Sequence, residues 1–120
     1  MPDDVLREQF LYLTTTGRKT GLRRRIEIWF VASGGHLYVL AEQFHKAQWV
    51  LNIMKSPRVR VLLAGHTHAA TAVVLDPNRD AAEWQTVREL AREKYGWGDG
   101  LPVRISPDEP LCGAPPAPQG

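Results

Sequence analysis

The chain has 120 residues, 43% hydrophobic and 23% charged, with a formal net charge of +2 and one cysteine. That length builds one core in one domain without disulfides or metals, and the lone Cys112 excludes an intramolecular disulfide. No apolar run reaches the length of a membrane span and no signal-peptide pattern stands out, so a cytoplasmic protein is expected.

Residues 1–8 are polar and read as a short lead-in. Residues 10–14 and 26–31 are rich in β-branched and aromatic types and read as two strands. Between them lies a glycine-bracketed tip, Gly17-Arg18-Lys19-Thr20-Gly21. Arg18, Lys19, Arg23, Arg24 and Arg25 gather here with no acid between Glu8 and Glu27, beside the hydroxyls of Thr14, Thr15, Thr16 and Thr20. A solvated basic loop would have this composition. So would a polyanion site, and the glycines favour the second, because they bring backbone N–H groups close to an anion. The positive excess is local. It points to an anion site rather than a nucleic-acid surface, which would show a longer basic stripe interleaved with aromatics.

Ser33-Gly34-Gly35 signals a turn into a third strand, 36–41, completing a meander. In the second strand Ile26, Ile28 and Phe30 share one face, expected to be core, while Arg25, Glu27 and Trp29 share the other. Trp29 among charges needs something to cover. From 44 to 54 the period becomes helical, with Trp49, Val50, Ile53 and Met54 as the core stripe and Ser56-Pro57 as the stop. Lys46 stands beside His45 at the helix start, a candidate anion contact.

Residues 58–63 and 69–75 read as a further strand pair closed by a tip at 65–68. His66 and His68 share a face there, but without a third ligand no metal site is expected. Asp76-Pro77 has the N-cap and first-position chemistry to open a second helix, on which Trp84, Val87, Leu90 and Ala91 form the packing stripe. Three glycines in 96–100 then break the chain into a flexible loop carrying Tyr95 and Trp97, aromatics that cover a ligand or pack on the sheet. Residues 101–105, containing Pro102, read as a last edge strand, and from Ser106 the composition is that of a disordered tail. The sum is a mainly β domain over 1–105, with five to six antiparallel strands, two helices and a tail at 106–120. So small a sheet protects its edges by curling into a barrel.

Leu13-Thr-Thr-Thr-Gly-Arg-Lys-Thr-Gly21 resembles the signature of the deazaflavin (F420)-dependent nitroreductase and quinone reductase family, within the flavin/deazaflavin oxidoreductase superfamily. The similarity continues in order through Ile26-Glu-Ile-Trp-Phe30, Trp49-Val-Leu-Asn52, Ser56-Pro-Arg-Val-Arg-Val61 and Lys94-Tyr-Gly-Trp-Gly-Asp-Gly-Leu-Pro102. The resemblance implies an FMN-binding split-barrel-like fold, a homodimer, and coenzyme F420 as the cofactor. It places Arg18, Lys19 and Thr20, with Arg24 or Arg25 behind them, at the charged end of the coenzyme; Trp49 and Asn52 fall in a structural helix motif. Trp97 then covers the substrate and Tyr95 is the first candidate proton donor, with Tyr38 a distant second and solvent able to serve equally well. The implied reaction is hydride transfer from reduced F420 to a quinone, nitroarene or enone, with no metal, nucleic acid or membrane span. One segment departs from the family pattern: 41–46 is short, lacks glycines and carries Glu42. The alternative is accordingly a non-catalytic or differently liganded barrel holding FMN, haem or another molecule.

Overall fold

The structure, a computed structural model, describes residues 8–109. The lead-in before Glu8 and Cys112 lie outside the described residues. Six strands form, β1 (Phe10–Thr16), β2 (Arg23–Ser33), β3 (His36–Ala41), β4 (Arg58–Leu63), β5 (His66–Val74) and β6 (Leu101–Pro107). With them are two helices, α1 (Gln48–Lys55) and α2 (Ala81–Tyr95), and one 3-10 turn at Phe44–Lys46. Every strand pair is antiparallel, and the sheet closes in the order β1-β2-β3-β6-β5-β4.

Closure gives each strand a neighbour on both sides over at least part of its length, which is how a small sheet avoids exposed edges. The expected edge strand is therefore not an edge: β6 lies between β3 and β5. Pro102 is tolerated because it sits at the strand's start, opposite Leu40, while the β5 ladder begins only at Val103. Its carbonyl still accepts the Leu75 N–H at 3.1 Å. The strand also runs on past 105 to Pro107, and Asp108 is bound by the Arg58 guanidinium at 2.5 Å, so the ordered chain extends into the stretch read as tail.

Alternation along the strands sends Leu11, Leu13, Val59, Val61, Leu37, Val39, Val103 and Ile105 inward, where with Phe30 and Ile53 they fill the barrel. Each fully buried aliphatic contributes about 1.5–3 kcal/mol relative to exposure. On the outside, Val87 and Ala91 of α2 pack on Val31, Tyr38 and Leu40. Tyr38 donates to Glu83 at 2.6 Å and Arg104 binds the same carboxylate at 2.8 Å, pinning that helix to β3 and β6.

Several local expectations change. The second helix starts at Ala81, because the Asp76 carboxylate accepts the N–H groups of Asn78 and Arg79 at 2.8 and 2.9 Å and folds Pro77 into a turn instead. Met54 is 60% exposed; Val50, Asn52 and Ile53 are the buried side of α1. The β4–β5 tip is Ala64-Gly65, both at positive φ as a two-residue hairpin loop requires, and His66 and His68 belong to β5. His68 points into the barrel with an Nε2 that has no partner among the described residues.

Candidate ligand site in the split of the barrel

The site begins where β2 changes partners. From Arg23 to Trp29 it pairs with β1, and from Phe30 to Ser33 with β3, so below Phe30 the second and third strands part. The ladder register would next set Gln9 opposite Phe30, but the Tyr95 hydroxyl occupies that place. It accepts the Phe30 N–H at 3.2 Å and its proton is shared between the carbonyls of Phe30 and Gln9. Since the polar backbone of Phe30 faces β1, alternation turns that of Trp29, Glu27 and Arg25 the other way, into the split.

A cavity of about 810 Å³ fills this opening. It is lined by Ile26 and Ile28 of β2, by Leu40 and Ala41 of β3, and by the aromatic rings of Trp29, Trp49, Tyr95 and Trp97. The polar side chains of the lining are Glu27, Glu42 and Gln43, with no Lys or Arg. Its size falls in the range of small-molecule sites, roughly 300–1,000 Å³. The flat aromatic walls suit a planar ring system, and the open β2 backbone offers alternating donors and acceptors to the polar rim of such a ring.

Tyr95 proves to be the last residue of α2, stacked on Trp29 with ring centroids 4.5 Å apart and planes 8° from parallel. Its ring lines the cavity while its hydroxyl is spent on backbone, and burial pushes its pKa up to about 12. The expected proton-donor role is revised on that ground: a phenol that substitutes for a missing ladder bond is a tie. Beside it, the Lys94 ammonium donates to the carbonyls of Glu8 and Phe30 and lies 4.1 Å from the centre of the Phe30 ring. Burial holds its pKa below the usual lysine value. Tyr38, tied to Glu83 on the outer face, is not in the lining.

The glycine loop is not loose. Arg88 donates to the Gly98 carbonyl at 3.1 Å, and Arg88 and Arg92 grip Asp99 at 3.0 and 2.9 Å. These partners hold the Asp99 carboxyl below the ordinary carboxylate range. Gly100 is required by proximity, since a Cβ there would stand 2.8 Å from the Trp97 ring and 2.9 Å from the Ala41 carbonyl. Trp97 is thereby fixed against the end of β3, where it lines the cavity.

The basic tip divides. Arg18 is drawn into the fold: its backbone N–H and Nη1 both donate to Asn52 Oδ1, at 3.1 and 3.0 Å, and Nη2 reaches Gln48 Oε1 at 2.7 Å. Lys55 Nζ closes the clamp on the Arg18 carbonyl at 2.9 Å. Thr20 Oγ1 accepts the Leu22 N–H at 3.2 Å and shapes the turn. Arg25 lies over the Tyr12 ring at 4.5 Å on the barrel's outer face, which Arg23 shares by alternation. Arg24 falls on the face of Ile26 and Ile28. Among the described residues Lys19, Arg24 and the exposed Lys46 have no acid partner within ion-pair distance. Sequence reasoning missed the weight of Asn52, Gln48 and Glu27. Asn52 was discoverable: a polar residue between Val50 and Ile53 on a buried helix face needs a partner.

No curated protein matches the chain. Solved structures do. HutZ, the heme storage protein from Vibrio cholerae, aligns over 89% of this chain and 87% of its own at 20% identity and a TM-score of 0.73. An F420-H2 dependent reductase, FDR-A, aligns over 82% and 93% at 24% identity and 0.62. A domain-swapped dimer aligns over 84% and 81% at 25% identity and 0.60. The six-stranded barrel is thus a split barrel of the FMN-binding type. The model of the F420H(2)-dependent quinone reductase family matches residues 5–108, spanning both helices, the tip and the split cavity, and the chain belongs to that family.

Proposed function

We propose that the protein transfers a hydride from reduced coenzyme F420 to an electron-poor acceptor, a quinone first, with nitroarenes and enones as related substrates. The observation that carries this reading is the open half of β2, which joins an aromatic cavity free of cations to a group of unpaired cations at the tip. A ligand with a flat ring and a polyanionic tail fits such a strand lengthwise. Trp29, Trp49, Tyr95 and Trp97 would hold the ring, the exposed backbone of Glu27 and Trp29 would bond its rim, and Arg24 and Lys19, with Lys46 across the opening, would meet the charged tail. Arg18 and Thr20 fix the shape of that end, and Glu27 and Glu42 in the lining would repel anionic groups and keep the tail out of the cavity.

When bound, the deazaflavin supplies the hydride. The chain's contribution is to orient and to exclude. Trp97 and Tyr95 narrow the cavity to a slot in which a planar acceptor stacks, and holding two reactants face to face can account for much of a rate gain. With the Tyr95 hydroxyl engaged by backbone, the proton that completes reduction comes from solvent at the open mouth. A homodimer in the cytoplasm remains part of the proposal, supported by the likeness to a domain-swapped dimer and by Trp29, 47% exposed beside the opening.

Fluorescence titration with F420 tests the reading. Wild-type protein should bind, and Lys19→Ala with Arg24→Ala should weaken binding at least 100-fold if each charge-assisted contact contributes about 1.5–3 kcal/mol. Unchanged affinity in the double variant removes the assignment. FMN, titrated in parallel, tests the alternative favoured by Glu42: a smaller single-phosphate ligand that stops short of the tip. Haem is disfavoured by the donor set: among the described residues the lining offers no His, Cys or Met as axial ligand, and the hydroxyl of Tyr95 is engaged by backbone.

A further inference from the structure

The cavity in the split has a charge pattern of its own. Each of the two parted strands brings one carboxylate to it: Glu27 from β2, and Glu42 directly after the last residue of β3. Neither has an ion-pair partner among the described residues. The described lining holds no Lys, Arg or His to offset them. With the carboxylates stand the rings of Trp29, Trp49, Tyr95 and Trp97, the first and third of them stacked with centroids 4.5 Å apart. An aromatic ring is electron-rich on its face and attracts a cation placed over it. A cation in this enclosure gains from the rings and the carboxylates together, and an anion loses to both.

The same lining is poor in groups that could serve an acceptor which turns negative. A neutral quinone becomes an anion when it receives a hydride, and catalysis then calls for a donor or a cation aimed at the developing charge. Here the Tyr95 hydroxyl is committed to the backbone of Phe30, and the two carboxylates oppose negative charge. An acceptor that starts positive has neither difficulty. It needs no proton to end neutral.

We infer that the cavity selects planar organic cations, N-alkylated heteroaromatics of the acridinium class, over neutral and anionic molecules of the same shape, with Glu27 and Glu42 as the residues that set the preference. Its use as a substrate preference rests on the hydride-transfer reading; the binding preference does not. In that use the hydride leaves a carbon of the reduced deazaflavin with its bonding pair and forms one C–H bond on the cationic ring. The deazaflavin is oxidised, the acceptor is reduced to a neutral molecule, and the one proton left over passes to solvent. Losing its charge also loosens the product's hold on the rings and carboxylates, which favours release. Neutral quinones, protonated from the open mouth, are the slower class on this account.

The test is equilibrium dialysis of the full chain, without coenzyme, against three tricyclic probes: N-methylacridinium, acridine at a pH where it is neutral, and acridine-9-carboxylate. At low salt the cation should bind about tenfold or more tighter than the carboxylate, and salt should narrow the gap. Glu27→Gln with Glu42→Gln should bring the two within roughly twofold, and Glu42→Lys should favour the carboxylate. Glu89→Gln, at an exposed position of α2 outside the lining, should leave the preference as it is. Equal binding of cation and carboxylate by the wild type, a preference unmoved by the double substitution, or one narrowed as much by Glu89→Gln overturns the inference. Turnover with reduced F420 is read separately, and kcat/KM for N-methylacridinium should fall in the double variant more than that for 1,4-naphthoquinone. No turnover with either acceptor while the binding preference stands counts against the functional reading alone. Turnover of the quinone without any binding preference counts against the cation site alone.

Discussion

At its C-terminal end β2 is locked. Phe30 is 1% exposed, its N–H and C=O both meet the Tyr95 hydroxyl, and Lys94 lies across its ring. At its N-terminal end the same strand is open: Arg23, Arg24 and Arg25 are exposed, and among the described residues β1 alone pairs with it there. One end has its backbone satisfied by a side chain from α2, while the other leaves donors, acceptors and charges available. The contrast shows how a single strand anchors a barrel and presents a ligand edge: stability is concentrated where the partners are, and binding capacity where they are missing.

Substitutions should respect that division. Phe30→Ala, at the locked end, is expected to cost about 3–5 kcal/mol in urea denaturation, whereas Arg23→Ala at the open end should stay within about 0.5 kcal/mol. Equal costs would erase the distinction. Tyr95→Phe should destabilise by about 1–3 kcal/mol, because it strands the partly buried backbone N–H and C=O of Phe30. It should leave turnover per folded molecule largely intact; a selective loss of turnover would restore the hydroxyl to catalysis. Asn52→Ala should cost a similar amount, about 1–3 kcal/mol, by releasing the Arg18 N–H and guanidinium, and it sharpens the comparison by loosening the tip without touching its free cations.

A pH-dependent effect lies away from β2. Burial, with a smaller contribution from His66, holds the His68 pKa below the ordinary 6.5. The native imidazole therefore stays neutral where the unfolded one takes up a proton. The unfolded state binds more protons in that window, so stability is full above 6.5 and falls as pH drops from there toward the lowered value. His68→Gln should flatten that limb of a denaturation series measured against pH. One expected change is a gain: Ala64→Asn, at a φ of 50° in the β4–β5 tip, should stabilise by about 0.5–1 kcal/mol, since asparagine tolerates the left-handed region that alanine does not. A tip that controls neither end of β2 should leave F420 affinity unchanged.

Much of this architecture was legible beforehand. The period-two runs at 10–14, 36–41 and 58–63 marked strands, the glycine pairs marked turns, and the ordered motifs from Leu13 to Pro102 indicated the family. The site was legible only as ingredients. Arg18 and Arg24 look alike in the sequence, yet Arg18 is consumed by Asn52 and Gln48 from a helix 30 to 34 positions away, while Arg24 stays exposed with no acid partner among the described residues. Tyr95 and Trp97 were read as one kind of loop aromatic. Helix α2 runs up to its glycine cap at Gly96, so Tyr95 belongs to the helix and carries its hydroxyl to Phe30, 65 positions earlier.

Local chemistry determined what could be read from order alone: side-chain alternation, turn propensity and charge clustering act over a few residues and leave a periodic trace. The tertiary structure decided which polar groups stay available, because a donor or acceptor is free only if no distant partner reaches it, and such partners are set by barrel closure and helix docking. The site in the split is the part of the chain that closure left unpaired.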